Sequence, residues 1–350
     1  MKRAITLILT AALLALLLTG CASKPAAAPA PAEATKAPEA EEAAPAEEPK
    51  AEEPAPAEEA AEAEEEEDEE NYSTGDASLD DPRNQDGIGE KELLVVSFGT
   101  SFNDSRRETI GAIEQTLAER FPDWSVRRAF TSQIIIDHIA KRDGVRIDNV
   151  TEALDRAIAN GVKVLAVQPT HLMDGYEYND LKNELAQYAD AFEQIILGDP
   201  LLTIDRDYDM LGETLADATA RYDDGETAIV FMGHGTEAAS NAVYAKMQTI
   251  FSEAGCEHYY VGTVEATPSL EDVLAEVQAG GYKRVVLRPM MIVAGDHANN
   301  DMAGEEPDSW KSQFEAAGYE VECILEGLGQ LPMIRSLIAD HAAEAIARLG

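Results

Sequence analysis

The sequence predicts an α/β protein with two similar doubly wound parallel-sheet lobes facing each other across a cleft, preceded by a disordered tether. Three observations predict it. Eight short apolar runs alternate with stretches of helical apolar spacing, as strands covered by helices require. The second half of the chain repeats motifs of the first. Ahead of both lies a long segment whose composition cannot form a core.

The chain opens MKRAITLILTAALLALLLTGC, where Lys2 and Arg3 precede an unbroken apolar run and small residues lead into Cys21. This is the pattern of an export signal, its apolar centre too short for an ordinary spanning helix. Leu18, Thr19, Gly20 and Cys21 resemble the bacterial lipoprotein cleavage motif. That likeness implies removal of residues 1–20, lipidation of Cys21, and an exported protein held at the cell envelope through its membrane anchor. Residues 21–90 read as an acidic Ala/Pro/Glu linker. From Ala22 to Glu70 it carries 18 acidic residues and 3 lysines, with no aromatic or branched apolar side chain, so it repels itself and stays solvated.

The formal net charge is −40, of which about −27 falls on residues 71–350. A globular part this acidic excludes nucleic acid as a general partner. The roughly 260 residues from Glu92 onward suffice for a large packed core. Cys256 and Cys323 are compatible with one disulfide or with two buried thiols, and no thiolate spacing suggests a structural zinc site.

Strands are expected at 93–98, 126–131, 162–168 and 194–198, then at 227–232, 259–264, 283–289 and 319–325. VLAVQPTHLMDGYEYND (164–180) aligns with RVVLRPMMIVAGDHANN (284–300), matching Pro169 to Pro289, Gly175 to Gly295, Glu177 to His297 and Asn179 to Asn299. LLVVSFGTS (93–101) aligns more weakly with IVFMGHGTE (229–237), setting Phe98 against His234. The lobes are therefore placed at 91–222 and 223–350. Loops after the carboxyl ends of parallel strands line the cleft of such folds. His234, Glu265 and His297 each follow a different strand of the second half, so they should meet there.

Two imidazoles and one carboxylate are a donor set for a divalent first-row ion with positions left open. A single strand-end histidine is more often a packing or hydrogen-bonded residue; three donors on neighbouring strand ends make the metal reading the stronger. An incomplete set suits a site that hands its ion over.

MGHG with His234, VGTVEATP with Glu265, and PMMIVAGDHANNDMAG with His297 occur in that order, followed by DSWK (308–311) and GLG (327–329). With the SFGTS start, RAFTS (128–132) and RDG (142–144), they resemble the class II tetrapyrrole chelatases, in particular the anaerobic sirohydrochlorin cobaltochelatase family, from about Glu92 to Gly350. The resemblance implies a single-chain, two-lobed chelatase with a tetrapyrrole in the cleft. It places the divalent ion, Co2+ or alternatively Fe2+, on His234, Glu265 and His297. A neutral imidazole suits both ligation and acceptance of the protons a macrocycle loses on metallation. His234 and His297 are therefore the expected catalytic residues, with His234 the main base.

A macrocycle bearing many carboxylates calls for local positive charge, for which Arg106, Arg107, Arg128, Arg288 and Lys311 are candidates. Tyr176, Glu177 and Tyr178 follow a strand end and are expected to contact the substrate. His171 is open to two readings, a packed strand-end residue or a ligand to bound haem. A homo-oligomer is compatible with the sequence. So is a lipid-tethered metal or tetrapyrrole carrier that does not turn over.

Overall fold

A computed structural model describes residues 74–349. The expected signal, Cys21 and the acidic run to Glu70 lie outside the described residues. Among the described residues no helix is long and apolar enough to cross a membrane.

Every expected apolar run forms a strand. β1 (Lys91–Ser97), β2 (Ser125–Phe130), β3 (Val164–Pro169) and β4 (Gln194–Leu197) make a sheet in the order β2-β1-β3-β4. β5 (Thr227–Gly233), β6 (Tyr259–Thr263), β7 (Arg284–Pro289) and β8 (Glu320–Cys323) make a second in the order β6-β5-β7-β8. All pairings are parallel. Register repeats as well: Val96 lies opposite Pro169, and Met232 opposite Pro289. These are the residues that the two internal alignments superpose, so the echo in sequence is a copy of one βα pattern. Both central strands are buried on both faces, which is why their sequences run apolar without alternation.

The helices are α1 (Asn103–Arg106), a π-helical turn Arg107–Gly111, α2 (Ala112–Arg120), α3 (Gln133–Asp143), α4 (Val150–Ala159), α5 (Tyr176–Ala186) and α6 (Asp205–Thr219) in the first half. The second half has α7 (Ala242–Glu253), α8 (Leu270–Gly280), a π-helical turn Ala298–Met302, α9 (Trp310–Ala316) and α10 (Pro332–Ala347). Leu154 of α4 and Leu181 and Leu185 of α5 cover the outer face of the first sheet. Val273 and Val277 of α8, with Trp310 and Phe314 of α9, do the same for the second. Between the sheets one shared core joins Leu93 and Val95 to Ile229 and Phe231 through α2, α6, α7 and α10.

That shared core exists because the closing helix of each half crosses to the other. On α6, Gly212 lies against Ile250 of α7, and Thr219 Oγ1 is 2.9 Å from the Tyr259 hydroxyl. α10 returns to the first sheet, where Asp340 pairs with Arg120 at 2.6 Å and Arg348 donates to the Leu197 carbonyl at 3.2 Å. Ile334, Leu337, Ile338, Ala339 and Ala342 of α10 are all buried, as expected of a helix enclosed on several sides. The division near residue 222 thus marks a repeat, while the two sheets form one packed body.

The expected linker boundary at residue 90 needs correction. Residues 74–90 are an ordered strap along the edge strand β2. The Arg128 amide donates to the Arg83 carbonyl (3.2 Å), Asn84 Nδ2 to the Arg146 carbonyl (2.8 Å), and the Lys163 amide to the Glu90 carbonyl (2.8 Å). An edge strand left bare would expose unpaired backbone donors; the strap takes the Arg128 amide, and the Asp148 carbonyl takes the Phe130 amide at 3.0 Å. The strap's sequence is polar and without periodicity, so it carries no helix or strand signal. Cys256 and Cys323 are free thiols, so the disulfide alternative does not occur.

Candidate metal centre

The three expected donors converge. His234 and Glu265 sit in the turns just after β5 and β6, and His297 begins the helical turn that follows the loop after β7. One ligand atom from each lies within 4.8 Å of the other two. The imidazoles of His234 and His297 meet edge to face, with centroids 4.7 Å apart and planes at 85°. His234 Nε2 is 3.6 Å from Glu265 Oε1. Donors around an ion with bonds near 2.1 Å stand about 3.4 Å apart in a tetrahedral set, so small side-chain shifts complete the cage. With side-chain exposures of 44% and 45%, His234 and Glu265 are open to solvent.

Local structure sets the tautomers. His234 Nδ1 lies 2.8 Å from the Gly235 carbonyl, which can only accept, so Nδ1 carries the proton and Nε2 the lone pair. His297 Nδ1 lies 2.7 Å from Asp301 Oδ2 and donates to it in the same way. A carboxylate behind a ligating imidazole fixes its orientation and raises its basicity. Asp301 was not picked out from the sequence. Its signal was there, since i and i+4 share a helix face.

The loops are locked together beneath the donors. The Glu265 amide donates to the His234 carbonyl (2.8 Å), and the Gly235 amide to the Tyr244 hydroxyl (3.1 Å). Gly235 has φ +92°, and a Cβ there would sit 2.8 Å from the Ala266 nitrogen, so only glycine allows the GHG and EAT turns to approach this closely. Tyr244 is buried below the site. Burial first, and then the nearby Glu177 and Glu265 carboxylates, push its phenol above the ordinary range.

The repeat explains both asparagines of the matched loops. Asn179 Nδ2 donates to the Gly175 carbonyl and Asn299 Nδ2 to the Gly295 carbonyl, each at 2.7 Å. Their shared role is to secure the loop-to-helix junction. Phe98 and Glu177 hold, over the first sheet, the places that His234 and His297 hold over the second. Both line a cavity of about 340 Å³ with Phe130, Leu181 and Asp180. The first half thus keeps a hollow at the matching position, with Phe98 and Glu177 in place of the two histidines.

Glu177 is exposed and lines this cavity, and the neighbouring Tyr176 is also exposed. Tyr178 is not: it is buried and donates to the Gly198 carbonyl at 3.1 Å. The expected cationic rim is also corrected. Arg128 is 0% exposed, donates to Glu114 and Asp80, and lies over the Phe130 ring. Burial opposes its charge, but Glu114 and Asp80 outweigh burial and hold the guanidinium above its ordinary value. Arg288, 1% exposed, pairs with Glu326 at 3.3 Å, and Arg106 is buried on Asp80. Each of these arginines lies in the interior, where a charge persists only beside a carboxylate. Arg107 and Lys311 reach solvent, paired with Glu108 and Glu305. The ring nitrogens of His171 are buried and lack hydrogen-bond partners, and burial pushes the imidazole down to about 4. Enclosure of the ring favours its neutral form.

Two lobes of one topology, with an N2O donor set at the strand ends of one of them, define a two-lobed metal chelatase. Comparison with known proteins gives the particular kind. Residues 91–347 match the cobalt chelatase (CbiK) family. The chain is 39% identical over 256 residues to a sirohydrochlorin cobaltochelatase of Salmonella typhimurium, covering 73% of this chain and 96% of that one. It is 32% identical over 261 residues to the sirohydrochlorin cobaltochelatase CbiKC of Nitratidesulfovibrio vulgaris, covering 74% and 92%. The chain belongs to the cobalt chelatase family. In fold it resembles the solved structure of SirB from Bacillus subtilis with Fe3+, with a TM-score of 0.53 at 13% identity over 74% of this chain and 97% of that one.

Proposed function

We propose that this chain inserts Co2+ into sirohydrochlorin, releasing two protons, the reaction for which its relatives are named. The observation that carries the reading is the meeting of His234, Glu265 and His297, from three separate strand ends, within 4.8 Å. Co2+ is a substrate here, held by two neutral imidazoles and one carboxylate. As four ring nitrogens take the ion, two pyrrole N–H protons leave, and the imidazole lone pairs freed from the metal are placed to accept them. His234 is the main base, its Nε2 lone pair lying 3.6 Å from Glu265 Oε1. Open coordination positions and the lack of thiolate ligands let the ion depart. Tyr176 and Glu177 flank the macrocycle.

The test is anaerobic incubation of the full chain in detergent with sirohydrochlorin and Co2+, followed by absorbance, beside His234→Ala and His297→Ala. Turnover lost in both variants is expected. Stoichiometric binding without turnover in the unaltered chain would make it a carrier, and faster insertion of Fe2+ at equal concentration would make it a ferrochelatase. We also propose that Cys21 is lipidated and tethers the exported protein to a membrane, supported by Lys2, Arg3, the apolar run and the Leu18 to Cys21 motif. Cys21→Ala should move the protein from the membrane to the soluble fraction; an unchanged distribution would refute the anchor.

A further inference from the structure

The strap of residues 74–90 precedes the family-matched part of the chain, yet it reaches the interior, where Asp80 is 4% exposed. At its centre Asp80 accepts from Arg106 Nε at 2.7 Å and from Arg128 Nη1 and Nη2 at 2.6 and 3.0 Å. Glu114 is shared by Arg128 and, at 3.2 Å, by Arg83, while Asp143 acts on Arg106 through space. Asp80 thus hydrogen-bonds two buried guanidiniums, those of Arg106 and Arg128. Removing the charge of Asp80 leaves buried cations short of a partner, a costly state in a low-dielectric interior.

Arg106 leads from this cluster to the metal centre. Its Nη1 donates to the Thr100 carbonyl at 3.1 Å and its Nη2 to Asn103 Oδ1, clamping the FGTS loop to α1. On the same short helix, Ser105 Oγ accepts from the Ala294 amide at 3.0 Å. Gly295 closes on Thr100 so tightly that a Cβ would sit 3.0 Å from its Oγ1. Ala294 and Gly295 immediately precede Asp296 and His297. The contacts are continuous from strap to metal-binding loop.

We propose that Asp80 is a positioning residue for the metal centre: by neutralising Arg106 it seats α1 where Ser105 and Thr100 hold the loop that carries His297. This rests on the reading of His234, Glu265 and His297 as the donors. It makes the segment ahead of the family-matched residues part of the working site, beyond any role as a spacer.

The experiment is a Co2+ titration of the full chain, without tetrapyrrole, comparing the unaltered protein with Asp80→Asn and Arg83→Gln well below their melting temperatures. Asp80→Asn keeps the side-chain shape and loses the charge; Arg83→Gln removes a strap ion pair to Glu114 that does not touch Arg106. Both should lower the melting temperature. Only Asp80→Asn should weaken Co2+ binding, by about threefold or more. Equal affinities for Asp80→Asn and the unaltered chain would overturn the proposal. Equal weakening in both variants would also overturn it, by showing a general loss of stability. An unaltered chain that binds no Co2+ would overturn the donor reading itself, and the proposal with it.

Discussion

Asp301→Asn isolates the electrostatic part of the metal centre. The carboxylate accepts from His297 Nδ1 at 2.7 Å, and asparagine can still accept there through its amide oxygen, so geometry is kept while charge is lost. Hydrogen bonds to charged groups contribute about 1.5–3 kcal/mol against about 0.5–1.5 for neutral ones, a difference near 1–1.5 kcal/mol. Loss of an outer-shell partner costs about 10–100-fold in metal affinity. Asp301 is 41% exposed, so solvent screens part of its charge and the low end applies. The expectation is Co2+ affinity about tenfold weaker, equal to about 1.4 kcal/mol. Isothermal titration of the full chain with Co2+ measures it, and Asp301→Glu should recover part of the loss. A Kd within twofold of the unaltered protein would refute the argument that Asp301 orients and charges His297. The melting temperature should barely move, since half-exposed surface changes usually fall within about 0.5 kcal/mol.

Gly235→Ala places a Cβ at φ +92° and 2.8 Å from the Ala266 nitrogen, so about 1–2 kcal/mol of backbone strain adds to a clash with main chain. A clear drop in melting temperature is expected, and an unchanged one would show that the two turns are not locked. Arg128→Ala should destabilise by about 3–5 kcal/mol, as loss of one member of a buried ion cluster does. If it instead raised the KM for tetrapyrrole with stability intact, the interior placement of Arg128 would be wrong. His171 titrates at about 4 when folded and near 6.5 when unfolded. Between those values the unfolded chain takes up a proton that the folded chain refuses. Its contribution is therefore complete above pH 6.5 and falls by up to about 3 kcal/mol as pH drops to 4. His171→Leu should flatten that acid limb in chemical denaturation, and an identical pH slope would refute burial of the neutral ring.

Much of the scaffold was legible because it is written in local patterns. Strands buried on both faces read as continuous apolar runs, and all eight appeared where those runs lie. The repeat was readable because the loops after β3 and β7 need the same glycine and the same asparagine to turn from strand to helix. The donors were readable because strand-end loops of parallel sheets converge by topology, which assigns His234, Glu265 and His297 to one region without any side-chain coordinates. The arginines were misplaced for the converse reason. A charged residue in a strand looks like surface when its counter-ions are distant in sequence, and Arg128 meets Glu114 and Asp80 across 14 and 48 residues.

The sequence by itself determined the fold class, the duplication, the convergence of His234, Glu265 and His297 and the family resemblance, since each follows from spacing, topology or motif order along the chain. Only the tertiary structure decided that α6 and α10 cross between the halves, that the strap begins by Thr74, and that Asp301 backs His297 while Asp80 backs Arg106. Burial and pairing of charge depend on which distant segments share a volume. No local pattern encodes that, because the energy of a buried ion depends on the partner beside it in space.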